Sequence, residues 1–541
     1  MIVLLLFYIC KSNNYVLAGA LAISNSIMLY GVISSILLYL NFFSIKNTIL
    51  IEAIIIILLS LLLYYKRRNS TSNTNEVVDK QYYALMCLIV IPFLLINRSG
   101  FFGMGQDQGV YQTEAISMYS GETEIVHELD EGINFIDVDS YKKFLSSFGG
   151  LYIIDDCSED SAKVLSIDST SEFAGVFHGY HNYSAILALG IELFGMNYMM
   201  FINILLYMSS SIFIYNACIN LSLNPKKAVF VAAIFELSPI VIWIVKGAYV
   251  ENIIICSVCL YIYYLTKNNI KDIDILKINI PIIYFGFFHV IYLLFYPVFW
   301  AINCYEIVRS KRKQYVYNNI IIGIVLLLVS YLYSTISTCY YYVNLIRIWK
   351  YSFIGIERFL LFILGGVILS DVLTVFLYLK RERFSVINLD NIISIITKLS
   401  VIAIIVYQAF IFYGIYTGKR QITYNFYQDI YYGKFLEALG HITIVGLLAY
   451  SGGGILIISL IYAVCKSDIL NRKIELLFIY FICLYNCFFL KEVMYYFYYA
   501  RYMSYVIPIL VIFYAIAVLN IHNRLNRYIY IISVLLMFFL N

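Results

Sequence analysis

Charge is scarce in this sequence. Only 13% of its 541 residues are Asp, Glu, Lys or Arg, against about 25% in soluble domains, and that scarcity excludes an ordinary cytosolic enzyme. No Gly-rich phosphate loop follows a strand, so nothing calls for a nucleotide-binding fold. The eleven Cys lie mostly inside apolar runs, with only Cys157 in a clearly polar stretch, and imply neither a disulfide framework nor a metal site. Met1–Cys10 lacks the charged start and small-residue cleavage site of a signal peptide and is too short to span a bilayer, so it is expected to be the remainder of a longer helix. No convincing internal repeat divides the chain into similar halves, which weighs against a transporter built that way.

What fills the space is hydrophobic: 62% of residues, in runs that recur from the first residue to the last. A helix rises 1.5 Å per residue, so crossing a hydrocarbon core takes about 20 apolar residues. By that measure spans are expected near 15–42, 47–65, 82–97, 196–221, 227–245, 250–266, 316–337, 357–378, 388–416, 441–465, 474–491, 502–520 and 527–541. Ile278–Val308 is long for one crossing but basic on both flanks. Pro297 and Gly286 make two short helices, out and back, the better solution there.

The net charge of +4 sits in short clusters between those runs, which is the pattern of topology signals and not of nucleic-acid binding. Lys66-Arg67-Arg68, Lys226-Lys227, Lys267 to Lys277, Arg309 to Lys313, Lys380 to Arg383, Arg472-Lys473 and Arg524 to Arg527 can all be cytoplasmic at once if Ile278–Val308 crosses twice. The expected fold is therefore an all-α polytopic membrane protein of about 13–15 transmembrane helices, multi-pass in a cell membrane of the bacterial plasma-membrane type.

One polar segment interrupts the rhythm. Between Gly100 and Tyr180 there are fifteen Asp and Glu against Lys142, Lys143 and Lys163. In the topology above this is one large acidic extracytoplasmic loop between early helices, and loops longer than about 12–15 residues are commonly functional. Its start is expected to be a short interfacial helix over Val110–Met118, with Val110, Ile116 and Met118 facing lipid or the bundle. Its end is expected to form a second such helix over Tyr183–Phe194. The smaller outward loops instead carry bases: Lys246, Arg347, Lys350, Arg358, Lys419, Arg420, Lys491 and Arg501. Acids facing a ring of bases at one membrane surface suit a substrate that brings a phosphate and needs a hydroxyl activated. Taken singly, such bases read first as snorkelling anchors and such acids as a solvated surface.

Gly105-Gln106-Asp107-Gln108-Gly109-Val110-Tyr111 holds Asp107 about ten residues beyond the third span, where a lipid-linked substrate would present its head group. Asp107 reads equally as the N-cap of the helix that follows and as a fixed catalytic carboxylate. Glu236 and Asp371 fall inside apolar helices, where an acid is expensive and serves as structural glue or as part of a transport path. His289 reads as a satisfied core histidine. Asp155-Asp156 with Glu159-Asp160 reads as a solvated loop, since the glycine spacing of an EF-hand is missing. Ser451 to Gly454 reads as a helix break or close-packing site.

The D-x-G-x-Y segment in the first large outer loop resembles the GT-C superfamily of integral-membrane glycosyltransferases, which includes protein O-mannosyltransferases and the aminoarabinose transferase of lipid A (glycosyltransferase family 39-like). Phe177-His178-Gly179-Tyr180-His181-Asn182-Tyr183 through Leu189, then Leu193-Phe194-Gly195, is similar to that family's His-rich lead-in, LLAL-like helix and LFG stop. Leu237-Ser238-Pro239-Ile240-Val241-Ile242-Trp243 with Lys246 and Glu251 resembles its P-x-x-x-W and later acid. Ala500-Arg501-Tyr502 with Pro508 resembles its RY-x-x-P element. The chain departs from the family in having Gln108 where a second acid is common and in lacking prolines around His178–Tyr183.

The resemblance implies three regions: 1–81, additional helices and a basic loop; 82–310, a GT-C-like core containing the loop 99–183; and 311–541, C-terminal helices with basic outer loops. It implies transfer of a sugar from a polyprenyl-phosphate donor to a glycan, lipid or protein acceptor of the cell envelope, with Asp107 as catalytic base. Lys246, Glu251, Arg501, Tyr502, Tyr111, His178 and His181 would bind substrate or lipid phosphate, and no cofactor or metal is called for. The competing readings are a polysaccharide polymerase or ligase, whose dominant outer loop would be expected late in the chain, and a transporter or flippase of lipid-linked substrates.

Overall fold

The computed structural model describes residues 14–67, 83, 86–87, 107–121, 126–128, 151–153, 174–177, 180–267, 271–289, 292–335, 356–418, 471–484 and 504–519. The expected spans at 441–465 and 527–541, and most of that at 82–97, lie outside these residues.

The helices begin and end where local chemistry dictates. Asn14 caps α1 (Tyr15–Tyr39), its side chain accepting from Leu17 N at 3.1 Å. After α2 (Ile45–Arg67) comes α3 (Asp107–Ser120), the expected helix of the Asp107 motif, beginning at Asp107 itself. Three short strands follow: β1 (Val126–Glu128), β2 (Leu151–Ile153) and β3 (Ala174–Phe177) form one antiparallel sheet in the order β1-β3-β2, with Val126 opposite Val176 and Tyr152 also opposite Val176. The sheet is a small addition to a chain whose other described elements are helices, as expected. Strands of three or four residues are too short to leave an alternating pattern in the sequence.

Next come α4 (His181–Phe194), α5 (Phe201–Asn220), α6 (Pro225–Glu236), α7 (Pro239–Lys246) and α8 (Glu251–Thr266). The expected span 227–245 is not one straight helix: α6 and α7 are bent by 59° at the break between them. Pro239 is the cause, because it lacks an N–H and its ring obstructs the preceding turn.

Short α9 (Asp272–Lys277) leads into α10 (Asn279–Phe288) and α11 (Tyr292–Ser310), the two helices expected in Ile278–Val308. Their break is at His289, which is extended (φ −153°, ψ 131°), and not at Pro297, which is accommodated inside α11. The described chain continues through α12 (Gln314–Thr335), α13 (Ile356–Leu379), α14 (Arg381–Phe384), α15 (Leu389–Tyr416), α16 (Arg472–Leu484) and α17 (Ile507–Leu519).

Among the described residues five helices are long and apolar enough to cross a membrane, or six if the bent pair counts as one span. The core lies among α1, α4, α5, α6, α8, α10 and α17, where Tyr30, Tyr183, Phe213, Phe288 and Tyr514 are fully buried. Cys256 and Cys259 stand at C-x-x-C spacing on α8, but both are free thiols sunk in that core. α13 and α15 instead turn apolar side chains such as Phe362 and Phe410 outward, a face suited to lipid and unsuited to water.

The two ends of the bundle differ in chemistry. At one end Lys267 and Lys277 meet Asp274 at 3.5 and 2.6 Å, and Arg312 meets Asp272 at 3.6 Å. Lys311 meets Glu382 at 2.8 Å, and Lys473 meets Glu306 at 3.2 Å. Four of the basic clusters therefore gather on one side, joined by pairs that are individually weak where exposed. The opposite end carries the α3–α4 pair, the α7–α8 corner and the start of α5.

Candidate functional site

α3 presents one face to α4. Gln108, Tyr111, Glu114, Ala115 and Met118 recur at helical spacing, and all five are buried. Val110 is buried too and Ile116 partly so, as expected for residues turned toward the bundle. The Tyr111 ring stands edge-on to Tyr183 at 5.2 Å between centroids. Glu114, 4% exposed, accepts from His181 Nδ1 on one carboxylate oxygen and from Ser184 Oγ on the other. His181 and Ser184 are one turn apart on α4, so a single acid on α3 fastens the whole first turn of its partner.

The α7–α8 corner closes the other side. Gln108 Nε2 donates to Tyr249 Oη. The carbonyl of Gly247 accepts from Asn203 Nδ2 at 3.0 Å, and Asn203 Oδ1 in turn accepts from Tyr183 Oη at 3.1 Å. Asn252 Nδ2 reaches the carbonyls of Ile244 and Tyr249 at 3.0 and 2.9 Å, bracing a turn in which those carbonyls also accept the backbone N–H of Gly247 and of Asn252. Gly247 is required here, since a Cβ would stand 2.4 Å from the Tyr249 ring and 3.1 Å from Gln108 Oε1. Just beyond, Glu251 is fully buried in the first turn of α8, and Lys246 is half-buried in the last turn of α7. Each sits at the helix end that favours its charge. Asn182 Nδ2 ties α4 to the carbonyl of Phe287 at 2.6 Å, and His289 meets the Tyr505 ring at 6.1 Å, which brings the start of α17 to the same end.

Of the residues expected from the sequence, Tyr111, His181, Lys246 and Glu251 share this end of the bundle, with the first residue of α3, Asp107, beside Gln108. The Asp107 side chain, His178, Arg501 and Tyr502 lie outside the described residues. The sequence reading missed Glu114, Ser184, Gln108, Tyr249, Asn203 and Asn252. One signal for Glu114 was available: it stands seven residues after Asp107, on the face marked by Tyr111 and Met118.

The arrangement is a rigid polar belt around a helix start, able to hold a carboxylate and to present a half-buried cation. Among the described residues no three His, Cys, Asp or Glu side chains gather as a metal-binding group. A small recess lined by Ser257, Tyr261, Ile282, Phe285 and Phe299 is almost wholly apolar and offers nothing to a polar substrate. Comparison with known proteins finds no family model, curated protein or solved structure that matches the chain.

Proposed function

We propose that the chain is an integral-membrane glycosyltransferase of the GT-C kind, moving a sugar from a polyprenyl-phosphate donor to a cell-envelope acceptor. In this reading the end with the ion pairs is cytoplasmic, the polar belt faces outward, and the complete chain crosses the membrane about 13–15 times. Asp107 takes the proton of the acceptor hydroxyl as that oxygen attacks the anomeric carbon. Lys246 and Arg501 hold the departing lipid phosphate, with Tyr502 and His178 beside it. Glu251, Tyr111 and His181 shape the pocket around the sugar.

One observation carries the reading. The helix beginning at Asp107 packs on the helix beginning at His181 and against the corner bearing Lys246 and Glu251, although these stretches lie up to 144 residues apart in sequence. A solvated surface loop would have no need of that convergence. The transporter reading rests on a different observation, the buried Glu236 at the α6–α7 break.

The test uses the purified full chain, a polyprenyl-phosphate sugar and an acceptor fraction from the host. Asp107→Asn keeps size and much of the capping ability but removes the base, so transfer should fall by about 10²–10⁴-fold while insertion and folding survive. Arg501→Ala should raise the donor KM instead, because the phosphate loses a charge-assisted partner. Full activity in Asp107→Asn removes this residue from the mechanism and puts the transporter reading first.

A further inference from the structure

Glu236 is the last residue of α6 and is 2% exposed. Its Oε2 makes no hydrogen bond, and none of the ion pairs among the described residues includes it. Ser211 faces it from α5, and Ser238 lies two residues on, inside the break. Both hydroxyl oxygens are buried; Ser211 stands near enough to Glu236 to lean on its carboxyl as a donor, but no hydrogen bond of normal geometry reaches either hydroxyl. Tyr207 Oη donates to the backbone carbonyl of Glu236, which steadies the turn but leaves Oε2 of the carboxylate without a donor. Pro239 contributes no N–H, so the turn holds more oxygen acceptors than amide donors. Structural glue would show donors on these oxygens, since buried polar groups in folded proteins are almost always paired.

We infer that the break between α6 and α7 is an intramembrane site for one sodium ion, held by the Glu236 carboxylate with the Ser211 and Ser238 hydroxyls. The donors are all oxygen, which suits a hard cation and not a thiolate- or imidazole-seeking metal. One carboxylate neutralises one positive charge, so a divalent ion would leave a net charge buried. The carboxylate stands at the carbonyl end of α6, the end of a helix dipole that a cation favours. A half-helix ending at an acid inside a membrane is the geometry in which coupling ions are held between broken helices. The inference is independent of sugar transfer and does not need the proposed activity to be right.

The full chain is purified in detergent in sodium-free choline buffer, and binding of radioactive sodium is measured beside thermal unfolding in NaCl, KCl and choline chloride at one pH and ionic strength. One sodium should bind saturably per chain, and sodium alone should raise the unfolding midpoint, by about 1 °C at ten times its Kd and more at higher saturation. Glu236→Gln, which keeps the shape, should abolish both effects. The double variant Ser211→Ala and Ser238→Ala keeps the carboxylate and should weaken sodium binding by about ten-fold or more, which decides the question if Glu236→Gln fails to fold. The inference is overturned by any of three results: no saturable sodium binding to the wild-type chain, binding retained in Glu236→Gln, or unchanged affinity in the serine double variant.

Discussion

Removing the Glu114 side chain should unfasten α3 from α4. In Glu114→Ala, His181 Nδ1 and Ser184 Oγ both lose their acceptor while staying buried, at about 1–3 kcal/mol for each orphaned group. The side-chain carbons filling the interface go as well. Against this, the protein no longer has to desolvate the carboxylate of Glu114, 4% exposed, which returns part of the loss. Breaking one side of a buried polar cluster usually costs about 3–5 kcal/mol, so the orphaned donors should win. Glu114→Gln keeps the volume and one acceptor oxygen and should cost only about 1–2 kcal/mol. Thermal unfolding of the detergent-purified chain reads both variants. A double-mutant cycle gives the sharper test: once Glu114 is gone, Ser184→Ala should cost about 1–2 kcal/mol less than it does alone, because its partner is already lost. Additive effects, or an alanine variant within about 0.5 kcal/mol of the parent, would refute the assignment of Glu114 as the fastening of this interface.

Two glycines should respond to alanine with opposite signs. At Gly190 on α4 a Cβ would lie 2.4 Å from the backbone oxygen of Met199. Overpacking of about 1–3 kcal/mol then outweighs the roughly 1 kcal/mol that alanine gains in helix propensity. At Gly366 on α13 nothing lies within 4 Å, so propensity should win and Gly366→Ala should unfold at higher temperature; like signs at the two sites would contradict the packing described. At the basic end, burial alone would raise the Asp274 carboxyl, but the hydrogen bond and charge of Lys277, with the charge of Lys267, outweigh it and hold Asp274 below its ordinary value. A depressed carboxylate stabilises above its unfolded value of about 3.9, and that contribution is lost as pH falls through the lower folded value. The midpoint difference between wild type and Asp274→Asn should therefore stay constant between about pH 8 and 5 and shrink as pH falls below the unfolded value of about 3.9; a difference that grows on acidification would mean that the lysines do not govern this group.

Much of the helical frame was legible because a bilayer demands long apolar runs and tolerates little else. The expected spans at 15–42, 316–337, 357–378 and 388–416 correspond to α1, α12, α13 and α15; the pair of helices expected in Ile278–Val308 is present as α10 and α11, though neither is among the described helices long and apolar enough to cross a membrane. Breaks were harder to place than spans. Pro297 looked like the turn and sits inside α11, where a helix within a bundle can absorb a proline. Pro239 does end a helix, in a run whose apolar composition reads as continuous. A proline restricts the turn before it in both cases. Whether the chain bends or closes over it depends on what packs there, and composition does not record that. The three short strands were hidden for a simpler reason, since each contributes at most two residues to either face of the sheet.

The same division runs through the site. The helices α3 and α4 were legible because apolar spacing and turn residues mark them locally, although they begin at Asp107 and His181, three and two residues before the expected starts. The partners that make the belt were not, because each lies on another element: Glu114 with His181 and Ser184, Gln108 with Tyr249, Asn203 with Gly247. Glu114 in particular was one acid among fifteen in a stretch whose charge reads as solvated. What separates it from the others is the face it occupies. Tyr111, Ala115 and Met118 bury that face, and an acid at that position must find donors or destabilise the helix. Glu236 is the converse: it stood out at once as an acid in an apolar run, yet the structure gives its Oε2 no donor. An acid hidden by its acidic neighbours is thus fully served, and an acid conspicuous in the sequence is left with an open valence. That contrast assigns Glu114 to holding the helices together and leaves Glu236 to bind something from outside the chain.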